Sequence, residues 1–147
     1  MTNVNHSVTS ANLVFMLSVS GLYTIPQQIQ GWMNDDLFDI DELDVGESYM
    51  GADGNLSAGF VFNMVPQTIT LSPNSKSCDL FDAWYAAEKQ VRDKYFANGI
   101  IEYPSIGKSY VLTTGALVKY SMAASAKKIL QPRKFSINWE SVTVIPV

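Results

Sequence analysis

The sequence has one cysteine, Cys78, and one histidine, His6. A single cysteine excludes an internal disulfide and any metal cluster built from thiolates. A nucleophilic Cys78 would need a histidine beside it, but His6 sits in a polar N-terminal stretch. Cys78 therefore reads as a small packing residue near a helix start. Charge is also scarce, with Asp, Glu, Lys and Arg making up 16% of the chain and a net charge of −4. That balance argues against a protein that grips nucleic acid through its phosphates. It is compatible with a surface that lets DNA pass, because like charges repel. So little charge favours a surface hidden in an assembly, with a tight monomer as the plainer alternative. No run of about 18 apolar residues is present, so no membrane-spanning helix is expected. The start, MTNVNHSVTS, lacks the basic and apolar regions of a signal peptide, so the product is expected to stay in the cytoplasm where it is made. Glycines are scattered as turn punctuation and form no phosphate-cradling loop. There is no internal repeat, low-complexity tract or interdomain linker, and 147 residues read as one domain, 1–147, with a real core.

What is present is organised around residues 67–99. A short strand, Thr68 to Leu71, runs into a Ser-Pro-Asn-Ser turn, and the turn starts the one strong helix, expected over 77–97. Ser77 is the expected N-cap. Asp79 and Asp82 lie toward the positive end of the helix dipole, and Lys89, Arg92 and Lys94 toward the negative end. Leu80, Trp84, Ala87, Val91 and Tyr95 recur at helical spacing as one apolar stripe. Asn98-Gly99 supplies a stop.

The rest alternates as strands and turns. Residues 1–10 are polar and expected to be a flexible tail. In 11–20, Leu13, Phe15, Leu17 and Val19 fall on one face and Val14, Met16, Ser18 and Ser20 on the other. Neither face is charged, which suits a strand buried on one side and packed against a neighbouring chain on the other. Gly21 allows a bend, and Pro26 suits a strand at a sheet edge. Phe60 to Phe62 and Thr68 to Leu71 are strand pieces separated by Pro66. Ile100 to Tyr103 and Ser109 to Thr114 form a hairpin around a Pro104–Lys108 turn, and Gly115 to Ser121 continues the β pattern. The end, KFSINWESVTVIPV, alternates with an interruption around Ser141 that reads as a bulge.

Residues 31–58 form a long acidic loop or arm. Asp35, Asp36, Asp39, Asp41, Glu42, Asp44 and Glu47 crowd there without a lysine or arginine. Asp39 and Asp41 fit the first two oxygen positions of a calcium loop, but Leu43 takes the third and no glycine follows. A solvated or subunit-bridging segment is the simpler reading. Gly51-Ala52-Asp53-Gly54-Asn55 is a turn. Carboxylate pairs such as Asp41 with Asp44 would need a dry pocket to act as acid and base. No metal, cofactor or catalytic set is expected. Trp32, Trp84 and Trp139 could stack a sugar or base, but the positions of Trp84 and Trp139 suit core packing. Lys127, Lys128, Arg133 and Lys134 form the one basic cluster. Its expected role is docking to an acidic surface such as the 31–58 segment of a neighbouring copy. An acidic segment early and a basic one late suit head-to-tail stacking if they lie at opposite ends of the fold.

The order of a DG turn (Asp53-Gly54), an apolar strand, TITLSPNS (Thr68 to Ser75), a helix of the DLFDAWYAAEKQ type, a turn-rich hairpin and AKKILQPRKFSINWE (Ala126 to Glu140) resembles the tail tube proteins of tailed, especially contractile-tailed, bacteriophages. The resemblance covers roughly residues 11–147. It implies a mainly β fold, a β-sandwich or open barrel with one flanking helix. It also implies six subunits closing into a ring with a shared inner β-barrel, and rings stacking into a tube that conducts the genome inside a sheath. The implied partners are further copies of the chain, the sheath protein, baseplate and tape-measure proteins, and double-stranded DNA passing without specific binding. The implied location is the virion tail, after assembly in the host cytoplasm. On this resemblance the 31–58 segment, the N-terminal tail and the last strand serve ring-to-ring contacts, and Glu88, Lys89 and Arg92 on the exposed helix face meet the sheath. A single accessory ring, such as a tube terminator or baseplate adaptor, shares the fold, as do tubes of bacteriocins and secretion systems. Outside that class stands a ligand- or calcium-binding sandwich using Trp32 and the acidic segment.

Overall fold

In the computed structural model the described residues are 13–30, 38–60, 62–124, 126–127 and 129–146. The expectations for His6, Trp32, Asp35, Asp36, Lys128 and the 1–10 tail lie outside them. The described chain is mainly β with one helix, as the sequence implies. Its elements are β1 (Val14–Val19), β2 (Tyr23–Gln28), β3 (Phe38–Ile40), β4 (Gly46–Met50), β5 (Leu56–Phe60), β6 (Val65–Leu71), α1 (Ser77–Val91), β7 (Ala97–Tyr103), β8 (Lys108–Tyr120) and β9 (Arg133–Pro146).

Seven strands form one antiparallel sheet in the order β2-β1-β7-β8-β9-β6-β3, and β4 pairs with β5 apart from it. The sheet curls on itself. Phe38, on the edge strand β3, sets its ring against Phe15 of β1 at 5.9 Å and Tyr103 of β7 at 6.4 Å. Period-two alternation supplies the inner face: Phe15, Leu17 and Val19 are buried from β1, Ile69 and Leu71 from β6, and Phe135, Ile137 and Trp139 from β9. α1 closes the remaining opening, with Phe81 stacked on Phe135 at 4.3 Å. Trp84 is fully buried, and its indole N–H donates to the Tyr95 carbonyl at 3.0 Å. Trp84 and Trp139 are thus core residues.

The prolines sit where a missing amide costs little. Pro26 lies on β2, the outer strand of its edge. Pro66 lies within β6 rather than between two strands. Its carbonyl accepts from the Asp41 amide at 3.2 Å, so its own nitrogen faces the β3 side just past the end of that strand, not the β9 ladder. The expected irregularity near Ser141 is a change of face shared by two strands. Thr113 and Thr114 of β8 oppose the single Asn98 of β7, while β8 and β9 stay in register from Thr113↔Ser141 to Gly115↔Trp139. Thr114 adopts φ 48, and its amide donates to the Asn98 side chain at 3.2 Å.

The helix differs from expectation at both ends. It stops at Val91, where Arg92 caps it in a left-handed conformation (φ 59, ψ 39). Asn98-Gly99 belongs to β7, because Gly99 must pass close to the Met16 carbonyl and the Phe15 ring. Lys76 is the N-cap, and it makes no side-chain cap bond. Ser77 is the first helical residue; its hydroxyl accepts from the Gln30 amide at 2.8 Å, while Ser75 accepts from the Ser77 amide at 3.2 Å. Ser75 also donates to the Gln30 carbonyl at 2.6 Å, so the two serines pin the helix start to the chain leaving β2. The buried stripe is Cys78, Leu80, Phe81, Trp84 and Glu88, and Val91 is exposed. Cys78 is buried as expected, and desolvation pushes its thiol above the usual range.

Candidate functional site

The last part of the acidic segment, from Gly46, becomes an arm. β4 and β5 pair from Gly46↔Phe60 to Met50↔Leu56, and every residue of both strands is exposed. The turn forms as its sequence requires: Gly54 takes φ 84, Gly51 accepts from the Gly54 amide and donates to the Asn55 carbonyl, and Asp53 accepts from the Asn55 amide. Those bonds from Asn55 hold the Asp53 carboxyl below its usual range. An isolated two-stranded hairpin is marginal in water. This one also leaves Tyr49 (70%), Leu56 (67%) and Phe60 (72%) in solvent, with Phe62 (89%) just beyond. An apolar surface of that extent marks a contact region.

Asp39, Asp41, Glu42, Asp44 and Glu47 are exposed and spread along β3, the connecting segment and β4. Among the described residues no group of three or more His, Cys, Asp or Glu side chains is placed to hold a metal ion. The segment after β3 is pinned in extended form, with the Asp41 amide bonded to Pro66 and the Asp44 carbonyl accepting from Asn63 at 2.5 Å. A cleft of about 260 Å³ separates this base of the arm from Glu140 to Val142 of β9.

One member of the basic cluster, Arg133, is inside the fold rather than on a surface patch. Lys127 and Lys134 are exposed, but Arg133 is 7% exposed. Its guanidinium pairs with Asp82 of α1 at 2.7 Å, donates to the Ser121 carbonyl at 2.6 Å, and lies over the rings of Phe135 (5.1 Å) and Tyr120 (5.7 Å). Tyr120 donates to Asp82 in turn and stacks on Tyr85 at 4.4 Å. Arg133 bonding keeps the Asp82 carboxyl below its usual range, while desolvation and the Asp82 bond raise the Tyr120 hydroxyl. This clamp ties α1 to the end of β8 and the start of β9. It was readable in principle, because Arg133, Phe135, Ile137 and Trp139 share the period of two that buries the last three.

Glu88 is likewise not on the exposed helix face. It is 8% exposed, and its carboxylate accepts from Lys94 Nζ at 3.2 Å and from the Tyr95 amide at 3.0 Å. The spacing Phe81, Trp84, Glu88 places it inward. Lys94 also donates to the Leu117 carbonyl at 2.9 Å, so the pair ties the chain after α1 to β8. Lys89 and Arg92 are exposed. Together with Lys119 they rim a groove of about 610 Å³ between the second half of α1 and the end of β8. Sequence reasoning missed this groove, because Lys119 lies far along the chain from Lys89 and Arg92.

A family profile described as "Tail fiber protein gp32" matches residues 6–143. No curated protein sequence matches the chain. Among solved structures, a chain of the sheath/tube terminator of the extracellular contractile injection system PVC is similar at TM-score 0.63 and 13% identity, with 97% of this chain and 99% of that one covered. A chain of the anti-feeding prophage tube-terminating cap is similar at TM-score 0.61 and 10% identity, over 100% and 96% of the two chains. A chain of the PVC sheath-tube complex gives TM-score 0.55 and 14% identity, over 90% and 88%. Identities this low establish a common fold and nothing finer.

Proposed function

The chain belongs to the family of tail fiber protein gp32, and from that premise we propose that it is a self-assembling structural subunit of the tube of a contractile tail. Six copies close into a ring, and rings stack into a hollow conduit for the genome, carried in the virion tail after assembly in the host cytoplasm. The observation that carries this reading is the β4–β5 arm, an exposed hairpin rich in apolar side chains that a neighbouring ring would cover. The strand edges at β2 and β3 support it as well, since closing sheets around a ring covers edges that otherwise invite aggregation. The protein acts without a catalytic site or cofactor. Its neighbours in this reading are the sheath outside, the baseplate and tape-measure proteins, and DNA in the lumen.

The outward face of the central strands suits a lumen wall. It carries Ser18, Asn98, Thr113, Ser136 and Asn138 beside the apolar Met16, Ile100 and Val111, with the carboxylates Glu102 and Glu140 on the same face and Lys134 at one end. Uncharged polar groups give phosphates no cation to hold. The arm's carboxylates repel DNA at the rim.

A second reading has its own support: the terminator and cap chains are more similar in fold than the sheath-tube chain. A terminator forms one ring and does not polymerise. Negative-stain electron microscopy across a concentration series separates the two. Uniform hollow tubes are the expected result, discrete six-fold rings would assign the terminator role, and monomers at every concentration would count against both.

A further inference from the structure

We infer that the acidic segment at the base of one copy's arm, Asp41 to Val45, seats in the groove between α1 and β8 of a second copy. The inference rests on the stacking reading and names the surface that receives the arm. The groove has an apolar floor of Tyr85, Leu117, Val118 and Met122, of which Val118 is 48% and Met122 68% exposed. Its rim carries Lys89, Arg92 and Lys119, all exposed, and no ion pair among the described residues engages them. The remaining charges are largely spoken for. Lys94 is paired with Glu88, and Asp93, the one exposed carboxylate there, accepts from the Lys94 amide.

The segment has the complementary pattern. Asp41, Glu42 and Asp44 are exposed carboxylates without an ion pair among the described residues, and Leu43 and Val45 between and beside them are 42% and 61% exposed. Its backbone is already held extended by the Asp41–Pro66 and Asn63–Asp44 bonds, so docking would order little further chain. One copy cannot satisfy both surfaces. The arm base lies by Ser141 and the groove by Tyr120, which pairs with Phe135. At ~3.3 Å per residue along β9 the two are roughly 20 Å apart. A contact between unlike ends of identical chains propagates instead of closing on itself as a dimer.

The test is a charge exchange on the full chain. One variant carries Lys89→Glu, Arg92→Glu and Lys119→Glu; the other carries Asp41→Lys, Glu42→Lys and Asp44→Lys. Sedimentation velocity and electron microscopy follow the concentration at which polymer appears, and circular dichroism confirms folding. Each variant alone is expected to need at least about tenfold more protein to polymerise. An equimolar mixture is expected to recover, since a basic arm meets an acidic groove and an acidic arm meets a basic groove. Two folded variants that polymerise like the parent, or a mixture that does not recover, would overturn the inference. Should a variant misfold, Val45→Cys with Val118→Cys decides: Cys78 is 2% exposed and should not compete, so oxidation should join neighbouring copies. Tubes without that cross-link overturn the inference and leave the tube reading standing. No self-association at any concentration overturns both.

Discussion

Gly115→Ala should destabilise the fold by steric overlap alone. A Cβ at Gly115 would lie 2.5 Å and 2.6 Å from two Trp139 ring carbons and 2.8 Å from Ile137 Cγ2. These contacts are far inside van der Waals distance, and neither neighbour can easily yield. Trp139 and Ile137 are fully buried, and the indole N–H is tethered to Gln67 Oε1 at 2.8 Å. Overpacking of this kind costs about 1–3 kcal/mol. Removing a glycine from a strand returns about 0.5–1 kcal/mol, so a net loss of roughly 1–2 kcal/mol is expected. For a chain of this size each kcal/mol moves Tm by about 2–4 °C, and a calorimetric fall of roughly 2–8 °C follows. Gly54→Ala is the control. Nothing lies within 4 Å of its added Cβ, and its strain is purely the left-handed backbone at φ +84. Adding Trp139→Phe to Gly115→Ala should recover part of the loss, whereas the same addition to Gly54→Ala should not. A Gly115→Ala protein as stable as the parent would refute the claim that Trp139 packs directly on the glycine.

Gln67 is fully buried, with its oxygen accepting from Trp139 and its amide nitrogen without a hydrogen-bond partner. Gln67→Leu should cost about 1–3 kcal/mol by orphaning the indole N–H, and a urea double-mutant cycle with Trp139→Phe should show the double variant losing less than the sum. Arg133→Met should cost about 1–3 kcal/mol in the same assay, because the Ser121 carbonyl and Asp82 lose their donor. Asp82 titrates below 3.8 when folded, so its contribution is present above that value and lost as pH falls through the folded one; stability should drop less steeply below pH ~4 in Asp82→Asn than in the parent. Burial, with Tyr110 as a smaller cause, pushes Tyr103 up from 10.0 to about 12. Its contribution is therefore full below 10.0 and lost as pH rises toward about 12, and Tyr103→Phe should flatten that alkaline loss in thermal melts.

Strands were legible where alternation was simple. The stretch 11–20 shows why: Phe15, Leu17 and Val19 are fully buried, and Val14, Met16 and Ser18 on the other face are only half-buried. The turns at Gly54 and Gly107 were legible because both adopt positive φ, which glycine adopts cheaply. Polar residues on apolar faces were misread. Arg133, Glu88 and Gln67 each fall on the buried phase of their own element; a preference for placing charge outside set that phase aside for Arg133 and Glu88, and Gln67 was assigned no face. Burial is tolerable for them because partners meet them: Glu88 finds Lys94 and Tyr95 just past the helix end, but Asp82 lies 51 residues from Arg133 and Trp139 lies 72 from Gln67. Such distant partners are invisible to local pattern. The helix end failed for a related reason. Spacing alone continued the stripe to Tyr95, but Glu88 takes its hydrogen bond from the Tyr95 amide and turns the chain toward β7.

These two kinds of misreading have one origin, and it bears on assembly. A chain with so little charge spends some of its cations and carboxylates inside its own fold, as Arg133 with Asp82 and Lys94 with Glu88. Among the described residues the acids from Asp39 to Glu47 and the cations Lys89, Arg92 and Lys119 have no ion pair, and they gather on two separate ends. Scattered exposed pairs would add little stability, about 0–1 kcal/mol each. Segregated charges do something that scattered pairs cannot. They leave each copy unsatisfied at both ends, and like ends repel, so copies are steered toward head-to-tail contact before any apolar surface touches. The exposed Val45, Phe60 and Phe62 of the arm can then supply affinity that the charges, screened over about 8 Å at physiological salt, do not. On this division of labour, added salt should slow elongation far more than it shortens polymer lifetime, while truncating the aromatic side chains should do the reverse.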